Sequence, residues 1–544
     1  PEGAELKRNI ERLWRDRFSN KEGHREIEAP TIMPEDVFKA SGHLDGFDDM
    51  IIECPNCLHS HRADHLVEDN TDIEEAEGFS TEKIQEIIEK HELKCPNCGN
   101  DLSGIEVESF NLMFETDIGP GSSNPGYLRP ETAQGIFVEF PRFREYARNQ
   151  LPFGITQIGK AYRNEISPRK EIIRVREFTQ AELEHFIDSE EDEPDLEKIK
   201  DVEVTLYPVT EQEKEDGEYI HTTIENAVER NIIENDWIAY YLGISKKWYE
   251  RIGLDMTRFR YRQHLEGERA HYAVDCWDAE AEVDNDWIEI TGFAYRGCYD
   301  LKKHDQHSEE DYKIFKEYKS PRKVEKKEIN PDMSYLGPKY GDKAGKIVER
   351  LTELKEEDEE RIKSDQVVLD IDGEKIEISQ DKIGFEKIEI EEKGERIFPH
   401  VVEPSFGIDR LVYSVLSHSY ATDTVDDEER ILLSFQPEVA PTLVAVLPLM
   451  NKDGLGRKAE KLERNLREAG FSTDYDDSGT IGRRYRRHDE IGTPYCITID
   501  HQTLEDNTVT IRDRDTTEQV RVDIGEVSDI LGELKSGTKT FSSI

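Results

Sequence analysis

A chain of 544 residues is too long for one hydrophobic core and predicts two or three domains. Its 72 basic and 121 acidic side chains leave a formal charge of −49, and only 35% of its residues are hydrophobic, a balance that suits either disorder or a strongly hydrated acidic surface. Abundant aromatics and runs such as APTLVAVLPLM and CITID exclude disorder for most of the chain, no apolar run reaches the length of a membrane span, and seven cysteines are too few and too odd for a disulfide scaffold. A halophilic source explains the acidity. High salt screens charge over a few ångströms, so the net charge does not exclude an RNA partner. There is no secretory signal, and the cysteine usage suits a reducing cytoplasm.

In chain order, Ala4 to Asn20 predicts an amphipathic helix whose Leu6, Ile10, Leu13, Trp14 and Phe18 pack into a core. REIEAPTIMP follows as a short strand ended by Pro30. Cys54 to Asn100 is a cysteine-bounded insertion with an acidic helix over Thr81 to His91, and Phe110 to Phe153 returns to a mixed core. Residues 162–186 read as strand, loop and strand, with Pro168 in the turn. Asp188 to Glu218 is acidic and peripheral, and Tyr261 to Asp300 is aromatic and alternates like strands. Lys302 to Arg396 is a charged insertion with little core. His400 to Ser417 is strand, tight turn and helix. From Ile431 to Ile544, apolar strands (VAVLPL, FSTDYD, YCITID, VTIRDRD) alternate with helical patterns at Gly456 to Ala469 and Ile481 to Ile491, which predicts a small α/β domain.

The segment YRNEISPRKEIIRVREFTQAELEHF concentrates Arg163, Arg169, Arg174 and Arg176 among five glutamates. With the second strand starting at Glu171, alternation puts Arg174, Arg176, Phe178 and Gln180 on one face, and Glu182 near its end. Guanidinium groups, a ring and a carboxylate on one face suit an ATP-like ligand carrying phosphate, base and ammonium nearby. Pattern alone leaves a solvated cross-strand ion-pair ladder equally open. Two CPNC pairs, Cys54/Cys57 and Cys95/Cys98, have the two-residue gap of a zinc knuckle, although residues 58–94 between them exceed the usual ribbon spacing. A redox pair or a ribbon without metal fits the same spacing. Four thiolates favour structural zinc, because they leave no open coordination position. Cys276, Cys298 and Cys496 read as ordinary buried residues. The basic cluster IGRRYRRHDEIGTPY suits a solvated helix face or an RNA contact through arginine and tyrosine.

Six motifs in register carry a resemblance to the class II aminoacyl-tRNA synthetases, in the form of the glycyl-tRNA synthetases of archaea and eukaryotes. REIEAPTIMPEDVFKASGH (25–43) resembles motif 1, the YRNEISPR…IRVREF region (158–186) motif 2, and EPSFGIDRL (within 401–416) motif 3. LRPETAQGIF, RQHLEGERAHYAVDCWDAE and WIEITGFAYRGCYDL resemble further glycyl signatures. The resemblance implies an α+β fold: a class II antiparallel sheet flanked by helices over 1–53 and 105–425, a zinc-ribbon-like insertion at 54–104, a charged insertion at 302–396, and an α/β anticodon-binding domain at 430–544. It implies a homodimer with motif 1 at the interface. It also implies a cytoplasmic glycine–tRNA ligase that makes glycyl-adenylate and pyrophosphate from glycine and ATP with Mg2+, then charges tRNA(Gly).

By the same resemblance, Arg163 contacts the α-phosphate and the glycine carboxylate, and Arg410 holds the γ-phosphate side of a bent ATP. Glu165 and Arg174 help place the nucleotide, Phe178 stacks on adenine, and Glu289 belongs to a metal- or substrate-holding segment. Glu182, Glu403 and Ser405 grip the ammonium group and close the space around the α-carbon, with Glu131 in the same site. The segment from Arg483 to Arg487 faces RNA. Asp409, where many relatives have glycine, is expected to face away from phosphate. The family's chains begin before the equivalent of Pro1, so a preceding segment near the active site is expected. Catalytically silent synthetase-like relatives usually lose the motif 2 and motif 3 arginines, whereas Arg163 and Arg410 are both present here. A zinc-ribbon nucleic-acid binder would account for Cys54 to Cys98 only.

Overall fold

The apolar stripe of the N-terminal segment forms helix α1 (Glu2–Trp14), which runs on as a wider π turn over Arg15–Asn20. Trp14 and Phe18 are fully buried and pack on Phe406 with ring centroids 5.8 and 4.7 Å away, which ties the chain's start to its third motif. The computed structural model describes residues 1–544 apart from 74, 75, 77, 121–123, 167, 169–171, 215, 266, 269–274, 353–365, 372, 373, 380, 381 and 426. Arg169 and part of the RQHLEGERAHYAVDCWDAE segment therefore lie outside the described residues. The chain divides into two compact units, Pro1–Tyr312 with Phe398–Ile544, and Lys313–Ile397.

A nine-stranded sheet organises the first unit. Its strands are β1 (Arg25–Glu26), β2 (Phe153–Tyr162), β3 (Glu177–Ile187), β4 (Glu203–Tyr207), β5 (Ile220–Thr223), β6 (Phe259–Gln263), β7 (Asp275–Val283), β8 (Asp286–Gly297) and β9 (His400–Gly407). They lie in the order β1-β2-β3-β9-β8-β7-β6-β4-β5. All neighbours are antiparallel except β1 with β2 and β4 with β6. One face of β3 sends Ala181, Leu183 and Ile187 into the main core beneath α1 and helix α3 (Asp236–Ile252). Asn235 starts α3 by accepting from the N–H groups of Trp237 and Ile238, and Gly253 ends it in the left-handed region at φ +92°. The other face of β3 carries Gln180, Glu182 and Glu184 under helix α2 (Ala133–Tyr146). Both faces are covered, so β3 lacks the clean inside–outside alternation of an exposed sheet.

Strand β3 begins at Glu177, not at Glu171 as the sequence pattern suggests. One further ladder bond runs from the Arg163 N–H to Arg176 O at 3.0 Å, and beyond it two carbonyls are taken by guanidinium groups. Ile173 O accepts from Arg410 Nε at 3.2 Å, and Glu165 O accepts from Arg176 at 2.9 Å. Arg174 and Arg176 therefore lie in the approach to the strand, and their directions follow from these captures. After β9, helix α5 (Ile408–Ser419) starts at once and buries Leu411, Val412 and Val415; helix α4 (Tyr299–His307) precedes it in the chain.

The C-terminal part holds a five-stranded sheet of β10 (Val444–Pro448), β11 (Thr473–Tyr475), β12 (Tyr495–Ile499), β13 (Thr508–Asp513) and β14 (Gln519–Asp523), in the order β11-β10-β12-β13-β14. Helices α6 (Leu455–Glu468) and α8 (Val527–Lys535) cover one face, and α7 (Ile481–Glu490) sets Ile481 and Tyr485 against Ala445, Leu447 and Cys496 on the other. That double cover is why VAVLP and YCITI read as unbroken apolar runs. In the Lys313–Ile397 unit, Ile314–Pro331 pairs with Ile383–Ile397 and Gln366–Ile371 with Glu374–Ser379. Its own core gathers Leu336, Ile347, Leu351, Val367, Leu369 and Ile378. The expectation of little core there is corrected, and residues 302–312 belong to the other unit, where Leu301 and His304 of α4 are buried.

Candidate active site

Arg163, Glu165, Arg174, Phe178, Glu289 and Arg410 line one cleft, together with Gln180, Ser405 and Gly407. The sheet order explains this convergence: β3, β9 and β8 are adjacent, so Phe178, Ser405 and Glu289 are neighbours although far apart in sequence. Arg163 leaves the end of β2, donates from Nε to Pro130 O at 3.3 Å, and lies 5.4 Å from the Phe178 ring centroid. Arg410, in the first turn of α5, donates to Glu289 O at 2.8 Å and to Glu289 Oε2 at 2.9 Å. Arg174 lies 3.8 Å from the Glu165 carboxylate. The cleft thus holds three guanidinium groups beside an aromatic ring, a phosphate-binding surface with a platform for a flat base. Arg176 is the exception among the arginines expected to share a face. It is exposed, bonds Glu165 O and does not line the cleft. Asp409 borders the cleft, but its carboxylate is held by the Thr179 N–H at 2.7 Å and by Lys7.

Ser405 leads from this cleft into a buried acidic pocket. Its hydroxyl donates to Glu182 Oε1 at 2.6 Å, while Glu182 Oε2 accepts from the Thr132 N–H at 2.8 Å and from the Thr132 hydroxyl. Thr132 sits at the N-terminus of α2, directly after Glu131 in the RPETAQ motif. Glu131 accepts from Gln134 Nε2 at 2.9 Å and lies 3.6 Å from His43 Nε2. Burial works against its charge, but His43 and Arg296 overcome this and hold the carboxyl well below the usual range. Burial and then Glu131 push Glu182 upward, against its three donors. Glu403 accepts from Arg296 at 2.6 Å; burial, opposed by Arg296 and reinforced by Glu182 and Glu131, pushes its carboxyl up to about 8.

The residue missed from sequence is Arg296. It is buried in β8, bidentate to Asp300 of α4 at 2.8 Å, and bonded to Glu403. A lone arginine inside the apolar stretch ITGFAYRG is the signal that could have found it, because a buried charge needs partners from elsewhere in the chain. Buried Arg129 was missed as well: it donates to Lys160 O at 2.8 Å and to Ala29 O at 2.9 Å, joining the first and second motifs, and any Cβ at Gly159 would collide with its guanidinium. Cys276 and Cys496 are buried as expected, but Cys298 is half-buried, and its thiol is pushed down to about 7 by hydrogen bonding to His400 and by Lys302.

The four CPNC cysteines meet in one cluster, with all sulfurs within 4.8 Å of one another. Cys54 Sγ and Cys98 Sγ are 3.6 Å apart, and Cys57 Sγ and Cys95 Sγ 3.7 Å. Tetrahedral thiolates at a Zn–S distance of about 2.3 Å would lie about 3.8 Å apart, so the residues fit zinc. Both loops are built alike. Leu58 N–H bonds Cys54 O at 2.8 Å, and Gly99 N–H bonds Cys95 O at 2.8 Å. Both residues after the second cysteine have positive φ, +55° at Leu58 and +73° at Gly99.

In α7 the basic cluster divides. Arg484 is buried and donates to main-chain carbonyls, including Asp476 O at 3.1 Å. Arg487 pairs with Asp476, and Arg486 reaches Val425 O at 3.4 Å. Arg483 is exposed. Within the segment, then, Arg484 serves the domain's own fold, whereas Arg483 faces solvent. Nearby, buried Asp489 accepts from Arg430 at 3.1 Å and from Arg512 at 2.8 and 3.0 Å.

Comparison with known proteins matches residues 122–281 to the tRNA synthetase class II core domain (G, H, P, S and T), and residues 443–534 to the anticodon binding domain. Proteins named glycine–tRNA ligase are similar over the whole chain. That of Methanothrix thermoacetophila is 47% identical, covering 100% of this chain and 93% of that protein. The Methanocaldococcus jannaschii protein is 47% identical over 98% of this chain and 93% of its own length. The Archaeoglobus fulgidus protein is 48% identical over 100% and 93%. With a class II core, an anticodon-binding domain and this identity along its full length, the chain belongs to the glycine–tRNA ligase family of class II aminoacyl-tRNA synthetases.

Proposed function

We propose that the protein activates glycine with ATP and transfers it to tRNA(Gly). The observation that carries this reading is the junction at Ser405, where an arginine-lined cleft opens onto a small acidic pocket. In the first step a glycine carboxylate oxygen attacks the α-phosphorus, the bond to the β-phosphate bridging oxygen breaks, and pyrophosphate leaves with the electron pair. The nucleophile is already ionised at neutral pH, so no general base is needed. The work is positioning and charge neutralisation. Arg163 serves the α-phosphate and the glycine carboxylate, Arg410 the γ-phosphate, and Phe178 the adenine ring, with Glu165 and Arg174 placing the nucleotide. Glu289, half-exposed beside Arg410, offers an oxygen for Mg2+ bound with the phosphates, and the ion would supply further neutralisation. In the second step the terminal ribose hydroxyl of tRNA attacks the glycyl carbonyl and AMP leaves.

Glu182, Glu131 and Glu403 suit an ammonium group, and the Ser405–Glu182 bond occupies the space a larger side chain would need. One methylene in an apolar pocket discriminates by only about 1–3 kcal/mol, whereas a larger residue here would break buried hydrogen bonds. Exposed Arg483 and its neighbours on α7 are the proposed RNA contact. The cysteine cluster is proposed to hold one structural zinc. The proposed assembly is a cytoplasmic homodimer through motif 1, in a halophilic setting that the acidity supports. No helix among the described residues is long and apolar enough to cross a membrane. Glycine-dependent ATP–pyrophosphate exchange in molar potassium chloride, with alanine and serine as controls, tests the reading. Exchange with glycine alone supports it, and no exchange with any amino acid removes it. Metal analysis and light scattering test the zinc and the dimer.

A further inference from the structure

Glu184 is the one carboxyl of the acidic pocket that the reaction above leaves without a task. It is fully buried, and neither oxygen has a hydrogen-bond partner among the described residues. It stands two residues beyond Glu182 on the same face of β3. The charged groups around it are Glu182 on its own strand, Glu403 on β9, Arg296 on β8 and Asp300 on α4. Strand β2 sets Ile155 opposite it, and α2 packs Phe137 and Phe140 near its neighbour Phe186. With Glu131, five carboxyl groups therefore share Arg296 in a space closed by apolar side chains, and His43 stands beside Glu131 alone. They cannot all be ionised, because like charges and desolvation both favour proton uptake.

Hydrogen bonding decides where the proton resides. Three donors converge on Glu182, and donors to a carboxylate favour its charged form. Glu403 and Asp300 each accept from Arg296, although at Glu403 this only partly offsets the burial that pushes its carboxyl up to about 8. Glu184 alone has none, and burial with Glu403 beside it pushes its carboxyl well above the usual range. We propose that Glu184 remains an uncharged carboxylic acid so that Glu182 remains the carboxylate that receives the substrate's ammonium group. Glu184 is then a positioning residue for the amino-acid pocket. This rests on the glycine-binding reading, and it extends a general pattern in which paired acids are driven apart so that one keeps its charge and the other its proton.

Glu184→Ala and Glu184→Gln test it. In the exchange assay Glu184→Gln, which keeps shape and neutrality, leaves the glycine KM within about threefold of the native value, whereas Glu184→Ala, equally uncharged, raises it by about tenfold through the cavity it leaves beside Glu182, with little change in the ATP KM. In thermal melts Glu184→Gln is more stable than the native protein, and the gap widens as pH rises above the ordinary carboxyl range. The native fold must keep a proton there that the unfolded chain has released. A glycine KM raised as far by Gln as by Ala, or a melting gap that does not grow with pH, overturns the proposal. A native protein without glycine-dependent exchange would instead remove the glycine reading, and the melts, which need no substrate, would still decide the protonation of Glu184.

Discussion

Glu182→Gln removes one negative charge from the pocket and almost nothing else. The Thr132 N–H, 2.8 Å from Oε2, cannot turn away, but a glutamine can present its carbonyl to Thr132 and its amide to Ser405. The Ser405 hydroxyl, now a donor to Oε1 at 2.6 Å, then rotates to accept. Packing survives, and so do the hydrogen bonds. What is lost is the charge facing the ammonium group, about 2–4 kcal/mol for a charge-assisted contact in a desolvated site. At about 1.4 kcal/mol per decade this raises the glycine KM by roughly 30- to 1,000-fold. Arg163, Arg174 and Arg410, the proposed ATP contacts, line the adjoining cleft, so the ATP KM changes by less than about threefold. Burial and Glu131 already hold Glu182 above the ordinary carboxyl range, so the neutral amide does not lower the melting temperature. The assay is ATP–pyrophosphate exchange with each substrate varied in turn, beside a thermal melt. An equal loss of both affinities, or an unchanged glycine KM, refutes the placement of Glu182 in the amino-acid pocket.

Arg163→Ala and Arg410→Ala each reduce adenylate formation by about 10³-fold or more while circular dichroism stays native, since both side chains serve the cleft rather than the core; activity within tenfold of native contradicts their roles. Leu58 holds a left-handed conformation while 72% exposed, in the turn that Gly99 occupies in the matching loop. Leu58→Gly therefore stabilises the cysteine lobe by about 1 kcal/mol and Gly99→Ala weakens it by a similar amount, measured by denaturant unfolding or chelator competition. His264 Nε2 lies 2.8 Å from Asp278 Oδ2, and although burial pulls its pKa down, Asp278 more than offsets this and carries it to about 9. A raised histidine pKa stabilises the fold fully below the free-histidine value, and that contribution is lost as pH rises towards about 9. An NMR titration of the His264 ring with its midpoint at the free-histidine value refutes the pairing.

Local pattern accounts for much of what could be read from the chain. The helical stripe through Leu6, Ile10, Leu13, Trp14 and Phe18 is buried as its spacing implies. The apolar runs of β10 and β12 and the helical periods of α6 and α7 placed the C-terminal α/β fold, because period and burial are properties of contiguous residues. Strand β14 and helix α8 carried weaker signals and were not anticipated. The direction of the motif 2 arginines was beyond reach. Strand alternation would place Arg174 and Arg176 together, but the strand starts only at Glu177, and Arg176 turns to the Glu165 carbonyl, outside the cleft that Arg174 lines. The same limit hid Arg484, whose inward turn is set by carbonyls from other segments.

The sequence by itself determined the two-knuckle cysteine cluster, the helical and strand periods, and the residues that mark the family, because each depends on neighbours a few positions apart. The family resemblance groups Glu131, Glu182 and Glu403, but only the tertiary structure added Glu184, Arg296 and Asp300 to their pocket. Glu131, Glu182, Glu184, Glu403, Arg296 and Asp300 come from separate stretches, brought together by the adjacency of β3, β9 and β8 and the packing of α2 and α4. Their charge states follow from burial and from donors contributed by distant residues, and neither quantity exists until the chain has folded.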